Sequence, residues 1–364
     1  MKNKIKILTI IGTRPEIIRL SRVIPLLDKF SNHILVHTGQ NYDKNLDDIF
    51  FKNFKLRKPN YYLSARGSFG EQISIILKKI EKIIEKEKPD KFLVLGDTNS
   101  SLGSIMAKRM GVEVFHIEAG NRCFDDKVPE EVNRKIIDHS SDFLLTYTHR
   151  SCENLVSEGI NRRKIFVVGN PIFEVIKYYE EEINKSSILK KLNVKSKNYF
   201  LLTLHRSENT DDPIRLNNFL SAFNKIHNKY KLDIIWPIHP RSLKNIKKNN
   251  IKIKKGIKLV DPIGFFDFIK LEQNSFCVIT DSGTVQEECA IFDVPNITIR
   301  DSTERPETVE GGTNFITSDS SYLIEKGIAL STKNNDNSRC PSEYKYKNVS
   351  TTIAKIILQS NLKS

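Results

Sequence analysis

Short apolar runs alternate with longer amphipathic ones along most of this chain, and that alternation limits the folds open to it. The strand-like runs are Ile5–Ile11, Ile34–His37, Phe92–Leu95, Val112–Ile117, Phe143–Tyr147 and Ile165–Val168. Between them lie stretches with helical spacing, such as Phe69–Glu87 and Ser100–Met110. Strands alternating with helices predict a parallel sheet covered on both faces. A polar, Lys-rich stretch, Glu180–Asn198, interrupts the pattern. It resumes at Tyr199–Leu204, Asp233–Ile238, Ile257–Val260, Phe276–Thr280, Asn296–Ile299 and Asn314–Ile316. The chain thus reads as α/β with two parallel-sheet domains, residues 1–170 and 171–345, and a hinge near 171–198. Its 364 residues fit two domains at ~150 residues each. Thr332–Lys345 reads as a polar loop, and the helical spacing of Val349–Leu362 predicts that 346–364 packs back on the first domain.

Composition removes several classes. With 39% hydrophobic residues spread over the whole length, the chain has material for two cores and is not a disordered protein. No run approaches the ~18 apolar residues of a membrane span. Met1–Ile11 resembles a signal peptide faintly, but Arg14-Pro15 stands where a small-residue cleavage site belongs, so it reads as a first strand. The five cysteines are odd in number and no pair has CxxC spacing, which disfavours a disulfide framework or structural zinc and fits the cytoplasm. A net charge of +14 raises the question of nucleic acid. The densest basic stretch, Lys244–Lys258, holds no aromatic residue, against the interleaving an RNA binder needs. The expectation is no nucleic-acid partner and no membrane partner.

The informative polar residues follow strands. Gly12-Thr13-Arg14-Pro15-Glu16, Gly96-Asp97-Thr98 and the stretch His116 to Gly120 do so in the first half. His205-Arg206-Ser207-Glu208-Asn209, His239-Pro240-Arg241, Asp281-Ser282-Gly283-Thr284 and Arg300–Glu307 do so in the second. In parallel α/β sheets ligands bind outside the carboxyl ends of strands. Loops are polar anyway, but seven clusters rich in Arg, His and carboxylate at one kind of sheet edge predict a ligand cleft.

No GxGxxG and no GxxxxGK[ST] is present, which disfavours a tightly held dinucleotide or a P-loop triphosphate. Asp281-Ser282-Gly283-Thr284 instead joins an apolar strand to a helical stretch, a setting in which backbone N–H groups hold phosphate. Arg14, Arg206, Arg241 and Arg305 add cations, and a diphosphate is the best reading of the charged part of the ligand. Asp97, Glu118, Glu130 and His205 are the acid–base candidates. Each has a bland alternative: Asp97 as a helix cap, Glu130 with Arg134 as an i,i+4 ion pair, His205 as a satisfied strand-end histidine. Glu118, between Ile117 and Ala119-Gly120, has no capping reason to be there. Asp211-Asp212 reads as a cap for a helix starting at Pro213. No HExxH or DxD is present, so no metal is expected.

Taken together, GTRPEIIRLSRVI at 12–24, GDTNSSL at 96–102, HIEAGNRCFDDKVPEEVNRKIIDH at 116–139, HRSEN at 205–209, DSGTVQEE at 281–288 and TERPE at 303–307 resemble the non-hydrolysing UDP-N-acetylglucosamine 2-epimerase family. The resemblance implies two Rossmann-like domains of the glycosyltransferase-B type, the second binding nucleotide, an interdomain active site, and a homodimer. It implies that Asp97, Glu118 and Glu130 are the cleft carboxylates, Arg134 the arginine four after the last, His205 the cleft histidine and Arg14 the first-loop arginine. Ser282 and Gly283 would contact phosphate, Glu288 the uridine ribose, and Arg305 is the arginine of the TERPE motif. Arg19 stands where common members have Lys, and Asn121 to Asp125 form a different loop. Those departures, with Thr38-Gly39-Gln40-Asn41-Tyr42-Asp43, resemble the subgroup of capsule and lipopolysaccharide pathways that makes UDP-N-acetyl-L-fucosamine from the L-talo sugar nucleotide.

The implied chemistry suits the residue types. C2 of the sugar carries an unactivated proton, so the family eliminates UDP, forms a 2-acetamidoglycal, and adds UDP back after protonation on the opposite face. Acid–base groups are needed on both faces and donors at the departing diphosphate. No cofactor is required. The alternatives are a UDP-N-acetylglucosamine/UDP-N-acetylmannosamine 2-epimerase, a hydrolysing epimerase, and a glycosyltransferase of the same fold, which would need an acceptor.

Overall fold

The computed structural model describes residues 4–40, 44–333 and 339–359. The chain divides into two compact units, Met1–Ile176 with Ser342–Ser364, and Lys177–Pro341.

The first unit holds the strands β1 (Lys6–Ile11), β2 (Asn32–His37), β3 (Tyr61–Tyr62), β4 (Lys91–Leu95), β5 (Glu113–Ile117), β6 (Phe143–Thr146) and β7 (Ile165–Val167). They form one sheet in the order β3-β2-β1-β4-β5-β6-β7, every pairing parallel. Parallel pairing requires crossovers, and the resulting helices on both faces explain why central strands such as Phe92–Leu95 are buried at every position. Ile10, Val36, Phe92 and Val94 form the core with Ile76 and Ile80 of the helix Phe69–Glu87. That helix begins in a capping box, Ser68 and Glu71 exchanging bonds.

The second unit holds β8 (Tyr199–Thr203), β9 (Asp233–Pro237), β10 (Ile257–Val260), β11 (Cys277–Thr280), β12 (Asn296–Thr298) and β13 (Asn314–Ile316). Its order is β10-β9-β8-β11-β12-β13, again all parallel. Leu202, Trp236 and Ile279 pack there with Phe219 and Phe223 of the helix Pro213–Tyr230. Asp212 caps that helix, accepting from the Ile214 and Arg215 backbone N–H groups, the role its place before Pro213 implied.

Two segments differ from the sequence reading. The stretch read as a hinge contains the helices Pro171–Tyr178, Glu180–Lys185 and Ile188–Lys191, with Ile183 and Ile188 buried. Its few apolar residues sit where one turn of helix can bury them. The stretch Ser100–Met110 opens as a 3-10 turn, Asn99–Leu102, and becomes α-helical only over Gly103–Arg109. All five cysteines are free thiols. Among the described residues, no helix is long and apolar enough to cross a membrane.

The last helix, Val349–Leu358, packs on the helix Val23–Phe30 of the first unit. Lys91 of β4 fastens its end: the buried ammonium donates to the Ile357 carbonyl at 2.7 Å and the Gln359 carbonyl at 2.6 Å. A cation on the last carbonyls of a helix is favourable for both hydrogen bonding and the helix dipole. Lys91→Met is therefore expected to lower stability by about 1–3 kcal/mol in urea unfolding. Amide exchange should speed up first in residues 349–358; unchanged protection there would show that Lys91 does not hold the helix.

Candidate active site

Both sheets have a point where the strand order reverses: β1/β4 in the first unit, β8/β11 in the second. Loops leaving the carboxyl ends of such a pair run in opposite directions, and the gap between them is where ligands bind. The polar clusters 12–16 and 96–98 occupy the first reversal, and 205–209 and 281–284 the second.

At the first reversal the two loops are tied by Glu16, a member of the first polar cluster to which the sequence reading gives no role of its own. One oxygen of Glu16 accepts from the Gly12 N–H (2.9 Å), the Thr13 N–H (2.6 Å) and the Thr13 hydroxyl (2.7 Å); the other accepts from the Thr98 hydroxyl (3.1 Å). The T-x-x-E spacing of a capping box was the readable signal. Gly12 is obligatory for close approach, since a Cβ there would lie 2.0 Å from Ser100 Oγ and 2.1 Å from Thr38 Oγ1. Arg14 starts the helix Arg14–Leu20, its guanidinium 5.9 Å from the centre of the Phe50 ring.

Asp97 is not a cap. Its carboxylate receives Arg134 Nε at 2.8 Å and Nη2 at 2.7 Å, while Arg134 Nη1 reaches Glu131 at 2.7 Å. Glu131, also missed, is fully buried and accepts from the backbone N–H groups of Cys123 (3.1 Å) and Phe124 (3.0 Å), fixing the loop that follows β5. Its signal was the i,i+3 spacing to Arg134. Glu130 stands half-buried in the first turn of the helix Pro129–His139.

Glu118 follows β5 directly, with φ 68°, a left-handed conformation that costs a non-glycine residue about 1 kcal/mol or more. It is held by the buried Arg19 guanidinium at 2.7 Å, with the Tyr147 hydroxyl at 3.3 Å and the Asn121 amide at 3.4 Å. Arg19 thus stands in the site through Glu118. Behind this turn His116 Nδ1 lies 2.8 Å from Asp138, whose second oxygen takes Arg122 at 2.8 Å; His116 Nε2 meets the Gly96 carbonyl at 3.0 Å. The turns bearing Asp97 and Glu118 are therefore linked through one imidazole.

At the second reversal Asp281 is the organiser. It is fully buried, lies 3.0 Å from His205 Nδ1, and accepts the His205 and Arg206 backbone N–H groups at 2.9 Å each. Burial alone would raise its pKa, but His205 and the two N–H groups outweigh that and hold it well below the usual carboxylate range. Arg206 Nε donates to the Asp281 carbonyl at 2.9 Å. Ser282 is the N-cap of the helix Gly283–Phe292, and its hydroxyl lies 3.1 Å from that of Thr284. A Cβ at Gly283 would come within 2.4 Å of Glu304 Oε1, so this glycine is already required by the protein's own packing. Arg305 is buried between Glu287 (2.8 Å) and Glu304 (2.7 Å). Glu304 also pairs with Arg300 at 2.7 Å and was not singled out by sequence. Glu288 lies on the same helix as Gly283 and is 5% exposed. The side chain of Arg241 and the residues Asn41, Tyr42 and Asp43 lie outside the described residues.

Burial drives Glu16 up to a pKa of about 7, the bonds from Thr13, Gly12 and Thr98 offsetting only part of the cost. The folded chain then holds a proton at pH values where the unfolded chain, at 4.5, has released it. Stability from this residue is full below 4.5 and is lost as pH rises toward about 7. Glu16→Gln should flatten that loss, on the order of 3 kcal/mol, in unfolding measured from pH 4.5 to 7.5. A slope equal to that of the parent protein would place the titration elsewhere.

Comparison with known proteins identifies the family. The family model for UDP-N-acetylglucosamine 2-epimerase matches residues 27–358. The UDP-N-acetylglucosamine 2-epimerase of Methanocaldococcus jannaschii is 43% identical over 336 residues, 89% of this chain and 92% of that protein. The UDP-2,3-diacetamido-2,3-dideoxy-D-glucuronate 2-epimerase of Pseudomonas aeruginosa is 39% identical, over 85% of this chain and 88% of its own. A crystal structure of the M. jannaschii UDP-GlcNAc 2-epimerase, in complex with UDP-GlcNAc and UDP, superposes with a TM-score of 0.91 at 41% identity, covering 97% of this chain and 99% of that one. With the fold of the glycosyltransferase-B type and the match spanning nearly its whole length, this chain belongs to the UDP-N-acetylglucosamine 2-epimerase family of non-hydrolysing isomerases.

Proposed function

We propose that this protein inverts C2 of a UDP-linked 2-acetamido sugar by eliminating UDP and adding it back. One observation carries the reading. Asp97 and Glu118 lie in the turns that follow adjacent strands, and each carboxylate is fixed by a buried arginine. Two carboxyl groups held in this way suit proton transfer at one carbon, one taking the C2 proton as the C1–O bond to UDP breaks, another returning a proton to the opposite face of the 2-acetamidoglycal. The UDP oxygen then re-forms the bond to C1. Glu130 is a third acid–base group in this scheme. In this scheme the diphosphate departs toward Ser282 and Gly283 at a helix start, with His205, Arg206 and Arg305 of the same unit as its polar and cationic partners; Arg14 is a further substrate-binding cation of the first unit, and Arg134 and Arg19 keep the carboxylates aimed. Glu288 accepts from the ribose.

For the sugar, the names of relatives at 43% and 44% identity favour UDP-N-acetylglucosamine. A second reading, the L-talo to L-fucosamine pair, is favoured by Arg19 and by the loop Asn121 to Asp125. The P. aeruginosa relative, named for a UDP-2,3-diacetamido-2,3-dideoxy-D-glucuronate, supports a UDP-linked acetamido sugar as the substrate class.

Elimination and re-addition replaces the C2 proton from solvent. Product formed in D2O should carry deuterium at C2 by NMR, with donor alone and no acceptor present. Initial product with its C2 proton retained would falsify the mechanism. Running the same assay on UDP-N-acetylglucosamine and on the L-talo nucleotide decides the sugar. Asp97→Asn and Glu118→Gln should each lower turnover ~100-fold or more. Near-parental turnover in both folded variants would remove them from the acid–base role.

A further inference from the structure

The second unit buries a carboxyl group that the reaction above does not use. Glu272, on the helix Phe265–Asn274, has no exposed surface. Its Oε1 accepts from the Cys289 thiol at 3.1 Å. Its Oε2 is buried and meets no hydrogen-bond donor. The neighbouring polar groups are already committed: the Tyr199 hydroxyl donates to the Leu271 carbonyl, the Lys197 ammonium to the Gln273 and Ser275 carbonyls, and the Ser275 hydroxyl to the Glu272 backbone carbonyl. Cys277 of β11 is buried as well. What Glu272 does face is another acid: the thiol that donates to it belongs to Cys289, the neighbour of Glu288 on the helix Gly283–Phe292, and the charge of Glu288 acts on it.

Two neighbouring carboxylates buried to this degree cannot both be ionised, where their helices pack through the apolar cluster of Leu271, Val278, Val285 and Cys289. Burial, then the charge of Glu288, pushes Glu272 well above the usual carboxylate range, the thiol of Cys289 opposing only in part. The two acids are not equivalent. Glu288 keeps 5% of its surface in solvent and Glu272 keeps none, so Glu288 is the member able to meet a ligand.

We propose that Glu272 is a positioning residue of the nucleotide site: as a neutral acid it donates its hydrogen to the Glu288 carboxylate, and the singly charged pair presents Glu288 in one orientation to the vicinal hydroxyls of a ribose. The donation satisfies the otherwise orphaned side of Glu272 and restricts the rotamers of Glu288 before the ligand arrives. This rests on the reading of Glu288 as the ribose contact.

Calorimetry on the full chain with UDP and with 2′-deoxy-UDP tests it. Glu272→Gln keeps a donor of the same shape, and both affinities should stay within about threefold of the parent, the scale of a conserved hydrogen bond. Glu272→Leu removes the donor; UDP affinity should fall about tenfold or more, and the preference for UDP over 2′-deoxy-UDP should collapse. Glu288→Gln checks the underlying reading by the same preference. If Glu288→Gln loses the preference while folded Glu272→Leu keeps both affinity and preference, the proposal fails alone. If Glu288→Gln keeps the preference, the ribose reading fails and takes the proposal with it. Should Glu272→Leu not fold, infrared difference spectra of the parent against Glu272→Gln serve instead. A protonated-carboxyl stretch that shifts when UDP is added supports the pair, and absence of that band overturns it.

Discussion

Everything at the site depends on parallel strand pairing. A parallel strand cannot return by a hairpin, so each strand sends its polar loop out at the same sheet edge and its helix across a face. The order β3-β2-β1-β4 and the order β9-β8-β11-β12 then each contain one place where successive crossovers go opposite ways. Gly12–Glu16 faces Gly96–Thr98 at one, and His205-Arg206 faces Asp281–Thr284 at the other. The loops could be long and flexible on such a scaffold. They are instead short, and buried carboxylates fix them: Glu16 spans the first pair and Asp281 the second.

Those carboxylates explain how charged groups stay ordered where water is scarce. Glu131, Asp138 and Asp281 are buried with their oxygens taken by backbone N–H groups, arginines or a histidine. Leaving one such charge without its partner would cost several kcal/mol, so the pairs lock as sets and not one by one. For catalysis this matters more than stability does. Asp97 and Glu118 are held by guanidinium groups that are themselves buried, which removes the freedom a surface carboxylate would have and, in the proposed reaction, would keep the acid–base groups within a narrow range of positions.

Much of this was legible in the sequence because it is local. Twelve strand positions were readable from apolar runs, each within two residues of the observed ends, since a strand buried on both faces is apolar throughout. Tyr61–Tyr62 was not, being two residues long and defined only by its pairing to Val36 and His37. The residues of the candidate site were legible as types at strand ends, but their partners were not. Arg134 reads as the i,i+4 mate of Glu130, whereas its guanidinium pairs with Asp97 and Glu131 in the fold. Asp97 lies 37 residues away along the chain, and no local period reports such a contact. Glu272 reads as one more acid on an amphipathic helix; only the packing of two helices sets it against Glu288.

The net charge of +14 also takes its meaning from structure. Arg19, Arg122, Arg134 and Arg305 are buried, and each is matched by a carboxylate within 2.8 Å. They add little to any long-range field, which comes from surface lysines screened within about 10 Å by ordinary salt. An incoming diphosphate therefore does not meet bare arginines. In the proposed site it would share the Arg305 guanidinium with Glu287 and Glu304, and at His205 it would meet a ring already turned toward Asp281. The groups with the least to give up are the backbone N–H groups at the start of the helix Gly283–Phe292, whose helical partners do not exist. Anion binding in the proposed site is thus set by oriented dipoles first and by shared cations second. That order favours a ligand with a nucleoside attached over free phosphate, because partly neutralised cations return too little energy to hold a small anion alone.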